Sequence, residues 1–157
     1  MLIVSRPQQG LESLGVPLAY DLVPDGGALG GIYTALEVAQ GPVFCCACDM
    51  PFLNDSLIRS MADNFTNLDV LLPKLDGRLH PLHAFYSLDC ITPIRAALDS
   101  GERKIISFFP QVRVAYFTED RGPDVEAMRL ALFNINTQSE LVWAQKTIAE
   151  TILHRKN

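Results

Sequence analysis

The sequence lacks a long hydrophobic run, although 48% of its 157 residues are hydrophobic. A helix that spans a bilayer needs about 20 consecutive apolar residues, and no stretch of this chain provides them. The first ten residues also lack the basic segment followed by an apolar core that marks a secretory signal. We therefore expect a soluble, cytoplasmic protein that does not associate with membranes.

Basic residues are scarce as well. Lysine and arginine number 13 against 18 aspartates and glutamates, which gives a formal net charge of −5. Proteins that bind a nucleic-acid backbone neutralise its phosphates with an excess of basic side chains. The charge balance therefore argues against nucleic acid as a partner, and small anionic substrates would need a divalent cation or a local basic cluster.

The four cysteines do not indicate a zinc site or a redox-active pair. Three of them form Cys45-Cys46-Ala47-Cys48, which contains a C-x-x-C. A redox pair needs its first sulfur at a helix N-terminus, and a zinc site needs a second pair of ligands at a compatible spacing. The sequence shows neither, and the three cysteines lie in an apolar run. We predict buried, chemically quiet thiols.

Predicted strands alternate with predicted helices along a chain of single-domain length, so residues 1–157 are treated as one domain. Apolar runs predict strands at 2–4, 16–22, 43–48, 69–73, 83–86 and 112–117. Helical spacing and capping residues predict a turn at 11–14 and helices that end at about 40, 64, 99 and 153. Asn54 or Asp55 is the predicted cap of the second of these helices, and Asp89 or Thr92 that of the third. A turn is predicted at Asp76-Gly77, and a short extended piece at 133–137. This alternation predicts an α/β fold with a mostly parallel sheet.

A glycine-rich stretch follows the second predicted strand and opens a helix. It runs from Asp21 through Gly26-Gly27 and Gly30-Gly31 to Ile32. Glycines let the backbone approach a ligand closely, and a helix N-terminus offers free N–H groups to an anion. The alternative is an ordinary strand-to-helix loop.

An aspartate, Asp49, directly follows the apolar strand 43–48 and precedes Met50-Pro51. Ligands of open α/β sheets bind at the carboxyl ends of the strands, and Mg²⁺ commonly takes only one or two protein carboxylates there. Asp49 is thus a candidate magnesium ligand. A capping or turn aspartate is the alternative.

Three later motifs complete a pattern of five: His80-Pro81-Leu82-His83-Ala84, Gly101-Glu102-Arg103-Lys104 and Phe133-Asn134-Ile135-Asn136-Thr137. In this order the five motifs closely resemble those of the molybdenum cofactor guanylyltransferase family. The resemblance implies a Rossmann-like nucleotidyltransferase fold with three layers. It also implies Mg²⁺-dependent transfer of GMP from GTP to molybdenum-molybdopterin, with release of pyrophosphate.

The resemblance also suggests roles for individual residues. Asp49 would be the catalytic, magnesium-binding carboxylate. The nucleotide would be held by residues early in the chain and by that same carboxylate, namely Ser5, Asp21, Gly30, Gly31 and Asp49. The acceptor would be held by two cations and two amides, namely Arg103, Lys104, Asn134 and Asn136. His80 and His83 are more simply explained as packed or solvated, and Trp143 as a core or interface residue.

One part of the family pattern is missing. The family opens with a strand, a glycine-rich loop that carries an arginine and a lysine, and a helix, and that loop cradles the triphosphate. The resemblance therefore implies an N-terminally truncated, inactive chain. The alternatives are a non-catalytic remnant that binds molybdopterin or a partner, such as a molybdoenzyme or cofactor-biosynthesis protein, and a related enzyme that uses CTP or a sugar-phosphate acceptor.

Overall fold

The fold was obtained as a computed structural model that describes residues 1–6, 10–121 and 124–154. The strands are β1 Ile3–Ser5, β2 Leu18–Tyr20, β3 Val43–Cys46, β4 Val70–Leu75, β5 Arg78–Leu79, β6 His83–Tyr86 and β7 Val114–Phe117. The helices are α1 Gly27–Ala39, α2 Asp55–Asp63, α3 Ile91–Asp99, α4 Val125–Ala131 and α5 Gln138–His154. Short 3₁₀ helices cover Leu11–Leu14, Leu88–Cys90, Ile105–Gln111 and Glu119–Arg121. Among the described residues, no helix is both long enough and apolar enough to cross a bilayer.

The main sheet is mixed, which corrects the prediction of a mostly parallel sheet. β6 lies between β3 and β4 and runs antiparallel to both, whereas β7 pairs with β4 in parallel. The cause is the two-residue turn Asp76-Gly77, whose φ angles of 50° and 74° suit a type I′ hairpin. The chain doubles back there into β5 and then β6 without the crossover helix that a parallel strand needs.

Two further strands form a small separate sheet. β1 and β2 pair in parallel, with Ile3 opposite Leu18 and Ser5 opposite Tyr20. Helix α1 contacts both of these strands and also β3 of the main sheet. The helix thus connects the two sheets through side-chain packing.

Helices cover both faces of the main sheet, so the predicted α/β class and its three layers are confirmed. Successive residues of a strand point to opposite faces, and β4 is buried along nearly its whole length. Val70 and Leu72 join a core built with α1 and α3, which includes Leu29, Ile32, Leu36, Ile94, Leu98 and Phe108. Leu71 and Leu75 join a second core built with α2 and α4, which includes Leu57, Met61, Phe117, Met128 and Leu132.

Helix starts follow local capping, although not always at the predicted residue. Asn54 caps α2 as predicted, because its Oδ1 accepts a hydrogen bond from the Leu57 N–H at 3.0 Å. α4 was missed by the sequence analysis, yet Asp124 caps it by accepting from the N–H groups of Glu126 and Ala127. An aspartate before an amphipathic segment was the available signal.

The start of α3 differs from the prediction. Neither predicted capping residue, Thr92 or Asp89, caps the helix, which begins at Ile91. Instead, Ser87 Oγ accepts from the Asp89 N–H at 3.2 Å and opens a 3₁₀ turn that leads directly into α3. Two short helical elements therefore share one cap.

The prediction of buried cysteines is wrong for two of the four. Cys46 and Cys48 are exposed, whereas Cys45 is half-buried and Cys90 is buried. Among the described strands only β6 pairs with β3, so β3 lies at the edge of the main sheet, and it becomes exposed at Cys46. The continuous apolar run 43–48 is therefore not a strand buried throughout. Burial raises the pKa of the Cys45 and Cys90 thiols to about 12, which keeps those two unreactive.

Candidate functional site

Asp49 and Asn134, two of the predicted site residues, are in direct contact. Asp49 lies just beyond β3, and Asn134 lies between α4 and α5. Asn134 Nδ2 donates a hydrogen bond to Asp49 Oδ1 at 3.1 Å. The neighbouring Ile135 N–H donates to the Asp49 backbone carbonyl at 2.9 Å. Two contacts therefore hold the segment before α5 against the turn that follows β3.

The Asp49 carboxylate retains coordination capacity. It is half-buried, and within the described residues only its Oδ1 accepts a hydrogen bond. No group of three or more His, Cys, Asp or Glu side chains within the described ranges could hold a metal ion. Mg²⁺ fits this donor set, because it commonly takes one or two protein carboxylates and completes its shell with water and phosphate oxygens.

Asn136 belongs to the same rigid segment. Its Nδ2 donates to the Asn134 carbonyl at 3.3 Å. Its N–H and that of Thr137 both donate to Glu140 Oε2 at 2.8 Å, and Thr137 Oγ1 accepts from the Glu140 N–H at 3.2 Å. This is a reciprocal capping box, and these hydrogen bonds lower the pKa of Glu140. The segment 133–137, predicted to be extended, belongs to none of the described strands, and its last two residues cap α5.

The glycine-rich loop is closely packed at Gly26, which the sequence analysis did not single out. A Cβ at Gly26 would lie 2.8 Å from the Gly30 Cα and 3.0 Å from the Val23 carbonyl. Gly30 is buried at this contact, whereas a Cβ on Gly31 would meet nothing within 4 Å. Gly27 adopts a φ of 59°, which also favours glycine.

A buried threonine, Thr34, anchors the start of this loop to α1. Its Oγ1 donates to the Gly30 carbonyl at 2.9 Å and accepts from the Leu22 N–H at 3.0 Å. Thr34 is fully buried. A hydroxyl on the apolar side of a predicted helix was the signal for this role.

Ser5 and Asp21 lie together at the ends of β1 and β2. The Asp21 N–H donates to the Ser5 carbonyl at 3.1 Å, and Ser5 Oγ donates to the Arg6 carbonyl. Burial raises the pKa of Asp21, and the charge of Arg6 opposes that rise. In the described part of the chain, no hydrogen bond or ion pair joins Asp21 to Asp49. Ser5 and Asp21 are therefore in contact with each other at the end of the small sheet.

Arg103 braces the glycine-rich loop. Its Nε donates to the Asp25 carbonyl at 2.7 Å, and its Nη1 donates to the carbonyls of Leu98 and Glu102. Much of its hydrogen-bonding capacity is therefore used by the backbone. Lys104, the second predicted cation, is exposed to solvent.

The two histidines of the third motif have different surroundings. His83 is fully buried beside the Phe44 ring, with the ring centroids 5.0 Å apart. Neither ring nitrogen of His83 has a hydrogen-bond partner among the described residues, and burial lowers its pKa to about 4. His80 is half-buried and lines a pocket with Arg78 and Arg129. His83 is therefore a neutral core residue, as the packing interpretation predicted.

Comparison with known proteins decides the family. Residues 1–114 match the sequence profile of the MobA-like NTP transferase domain. The chain belongs to this family. Members with similar sequences include a "Probable molybdenum cofactor guanylyltransferase" of Pelotomaculum thermopropionicum, 39% identical over 141 residues, which are 87% of this chain and 69% of that protein. A molybdenum cofactor guanylyltransferase of Desulfosudis oleivorans is 31% identical over 94% of this chain and 74% of its own length.

A solved structure has a similar fold. The molybdopterin-guanine dinucleotide biosynthesis protein A of Archaeoglobus fulgidus aligns with a TM-score of 0.77 and 27% identity, over 95% of this chain and 78% of that one. A "Probable molybdenum cofactor guanylyltransferase" of Carboxydothermus hydrogenoformans is 33% identical, and the chain spans 65% of its length. The chain therefore spans about two thirds to three quarters of these MobA-like relatives.

Proposed function

We propose that this polypeptide takes part in the transfer of GMP from GTP to molybdopterin, with release of pyrophosphate. The contact between Asp49 and Asn134 carries the proposal. It places a carboxylate with a free oxygen and a fixed amide at the carboxyl end of a strand, where α/β folds bind their ligands. The names of the family relatives, molybdenum cofactor guanylyltransferases, support guanylyl transfer in the synthesis of this cofactor.

In this proposal Asp49 would hold Mg²⁺ beside the bound GTP. The ion, when bound, neutralises the charge that develops on the transferred phosphoryl group. Asn134 positions the Asp49 carboxylate. The backbone around Gly30 and Gly31, together with Ser5 and Asp21, holds the nucleotide, since the helix that follows the loop offers free N–H groups.

The acceptor side is assigned to Asn136, Lys104 and Arg103. Asn136 lies in the segment fixed by the capping box, directly after the Asp49 contacts. Lys104 is free to meet a phosphate, and Arg103 orders the loop beside it. The reaction uses small cytoplasmic metabolites, so we place the protein in the cytoplasm.

The test is transfer of label from α-phosphate-labelled GTP to molybdopterin. A chimera in which the N-terminal unit of the Pelotomaculum relative precedes these 157 residues should transfer GMP in the presence of Mg²⁺. Asp49→Asn should abolish transfer, because the variant loses the charged metal ligand. Asp63→Asn, an exposed aspartate at the end of α2, is the matched control. Equal rates for Asp49→Asn and the control would refute the metal role.

The 157 residues alone should be inactive. They contain no glycine-rich loop with an arginine and a lysine that could cradle a triphosphate, and phosphoryl-type transfer depends mainly on such positioning and charge neutralisation. The alternative is a non-catalytic module that binds molybdopterin or a protein partner. Molybdopterin binding with no transfer by the chimera would favour the module. If the chimera transfers CMP from CTP but does not transfer GMP from GTP, the nucleotide substrate is CTP rather than GTP.

A further inference from the structure

Three aromatic side chains meet next to the Asp49–Asn134 contact. The ring centroids of Phe133 and Trp143 are 5.0 Å apart, and Phe52 completes the group at 5.5 Å from Trp143. Phe133 directly precedes Asn134 in the chain. This aromatic group is therefore attached to the same segment that holds Asp49.

Trp143 is not a core residue, because 45% of its surface is exposed. The indole meets Phe133 at 62° and Phe52 at 68°, so neither phenyl ring lies flat against it. Phe133, Trp143, Ser139 and Glu140 line a shallow pocket that opens to solvent. An exposed indole at the wall of a pocket is a suitable surface for stacking a flat ring.

The polar wall of this pocket is a carboxylate. Glu140 Oε2 accepts three hydrogen bonds from the capping box, whereas no described residue donates to its Oε1. A carboxylate repels phosphate and accepts hydrogen bonds from ring N–H and amino groups. The pocket therefore suits the aromatic end of a ligand rather than its phosphate end.

We propose that the pocket formed by Phe133, Ser139, Glu140 and Trp143 binds the pterin ring of the nucleotide acceptor. The ring stacks on Trp143 with its amino-pyrimidine edge toward Glu140, and the acceptor phosphate points toward Asp49. This inference rests on the function proposed above. Guanine carries the same amino-oxo-pyrimidine edge, so the test must separate the two rings.

Trp143 is the only tryptophan of the 157 residues, so the tryptophan fluorescence of this protein reports on this pocket alone. Any tryptophan in the N-terminal unit of the chimera is replaced by phenylalanine. Neopterin and Mg–GTP are titrated separately into the 157-residue protein and into the chimera. A free tryptophan derivative corrects for absorption by the ligand. Saturable quenching by neopterin, and none by Mg–GTP at the same concentration, is the expected result. Equal or stronger quenching by Mg–GTP would overturn the proposal, because the pocket would then belong to the guanine.

Variants are compared through the fluorescence anisotropy of neopterin itself, which needs no tryptophan in the protein. Trp143→Ala should weaken neopterin binding about tenfold, the loss expected for one aromatic stacking contact. Trp143→Tyr should restore most of the affinity, because it keeps an aromatic face. Val142→Ala is the matched control, since Val142 is 57% exposed on the same helix and does not line the pocket.

The proposal fails if Trp143→Ala binds neopterin as tightly as the control. Circular dichroism of each variant confirms that the helix remains folded. GMP transfer by the chimera is measured independently. Transfer without neopterin binding would overturn this inference and leave the proposed function standing. Neopterin binding at Trp143 without any GMP transfer would support this inference and overturn the proposed function.

Discussion

Asn134 donates a hydrogen bond from its side-chain amide to the Asp49 carboxylate at 3.1 Å, across 85 positions of sequence. The contact joins the segment before α5 to the turn after β3. It orients one carboxylate oxygen, whereas no described residue donates a hydrogen bond to the other. The position of the Asp49 side chain thus depends on a residue near the far end of the chain.

The first prediction concerns this contact. Asn134→Ala should lower GMP transfer by the chimera about 10–100-fold, the usual cost of removing a group that orients a metal ligand. It should also raise the Mg²⁺ concentration that gives half-maximal rate, because the free Asp49 side chain must be ordered by the ion. Gln145→Ala removes an exposed amide on α5 and serves as the control. An unchanged magnesium dependence would show that Asn134 does not act through Asp49.

The second prediction separates two glycines of one loop. Gly26→Ala should destabilise the protein by about 1–3 kcal/mol, because its Cβ would lie 2.8 Å from backbone at Gly30. Gly31→Ala should instead stabilise it by about 0.5–1 kcal/mol, since the site is open and helical. Urea unfolding measures both. Similar stabilities for the two variants would contradict the close approach.

The third prediction uses the ion pair between buried Asp69 and exposed Arg113. Arg113 Nη2 donates to Asp69 Oδ1 at 2.7 Å, and the side-chain hydrogen bonds from Arg113 lower the pKa of Asp69 to about 2. A carboxyl whose folded pKa lies below its unfolded value near 3.9 stabilises the fold above pH 4. This contribution, about 2 kcal/mol, should disappear as the pH falls from about 4 to 2.

Asp69→Asn should lower the free energy of unfolding at neutral pH by the same amount. The free energy of unfolding of this variant should then change less between pH 4 and 2. Asp55→Asn is the control, because Asp55 forms an exposed pair with Arg59, and such pairs contribute little. Acid titration followed by circular dichroism makes the comparison. Equal losses in the two variants would mean that burial of Asp69 has no special effect.

The fourth prediction concerns His83. Burial lowers its pKa to about 4, and the charge of His80 contributes. The unfolded chain, with a pKa near 6.5, therefore binds the proton more readily than the folded protein. Stability that is fully present above pH 6.5 should fall by about 2–3 kcal/mol between pH 6.5 and 4.

Replacement of His83 by phenylalanine should remove this decrease in stability between pH 6.5 and 4, because the side chain at this position could no longer take up a proton. The space already borders the Phe44 ring, so an aromatic side chain fits. Urea unfolding at several pH values between 4 and 7 provides the measurement. If this decrease persists in His83→Phe, other groups cause the acid sensitivity.

Local patterns in the sequence were sufficient for much of this fold. Asn54 caps α2, and Asp76-Gly77 turns the chain, because both effects act within a few residues. The apolar run 69–73 correctly predicted a strand, β4. The motif pattern also indicated the family, and it named both Asp49 and Asn134 as site residues before their contact was visible.

Only the tertiary structure decided which strands pair and which surfaces remain exposed. Cys46 lies in an apolar run that resembles β4, yet it is exposed because β3 pairs only with β6 among the described strands. The position of Trp143 in the sequence predicted a helix residue, but it did not show that the indole is half exposed beside the site. A strand neighbour or a pocket wall comes from distant parts of the chain. Residue pattern therefore predicts an element, whereas its partners depend on how the whole chain packs.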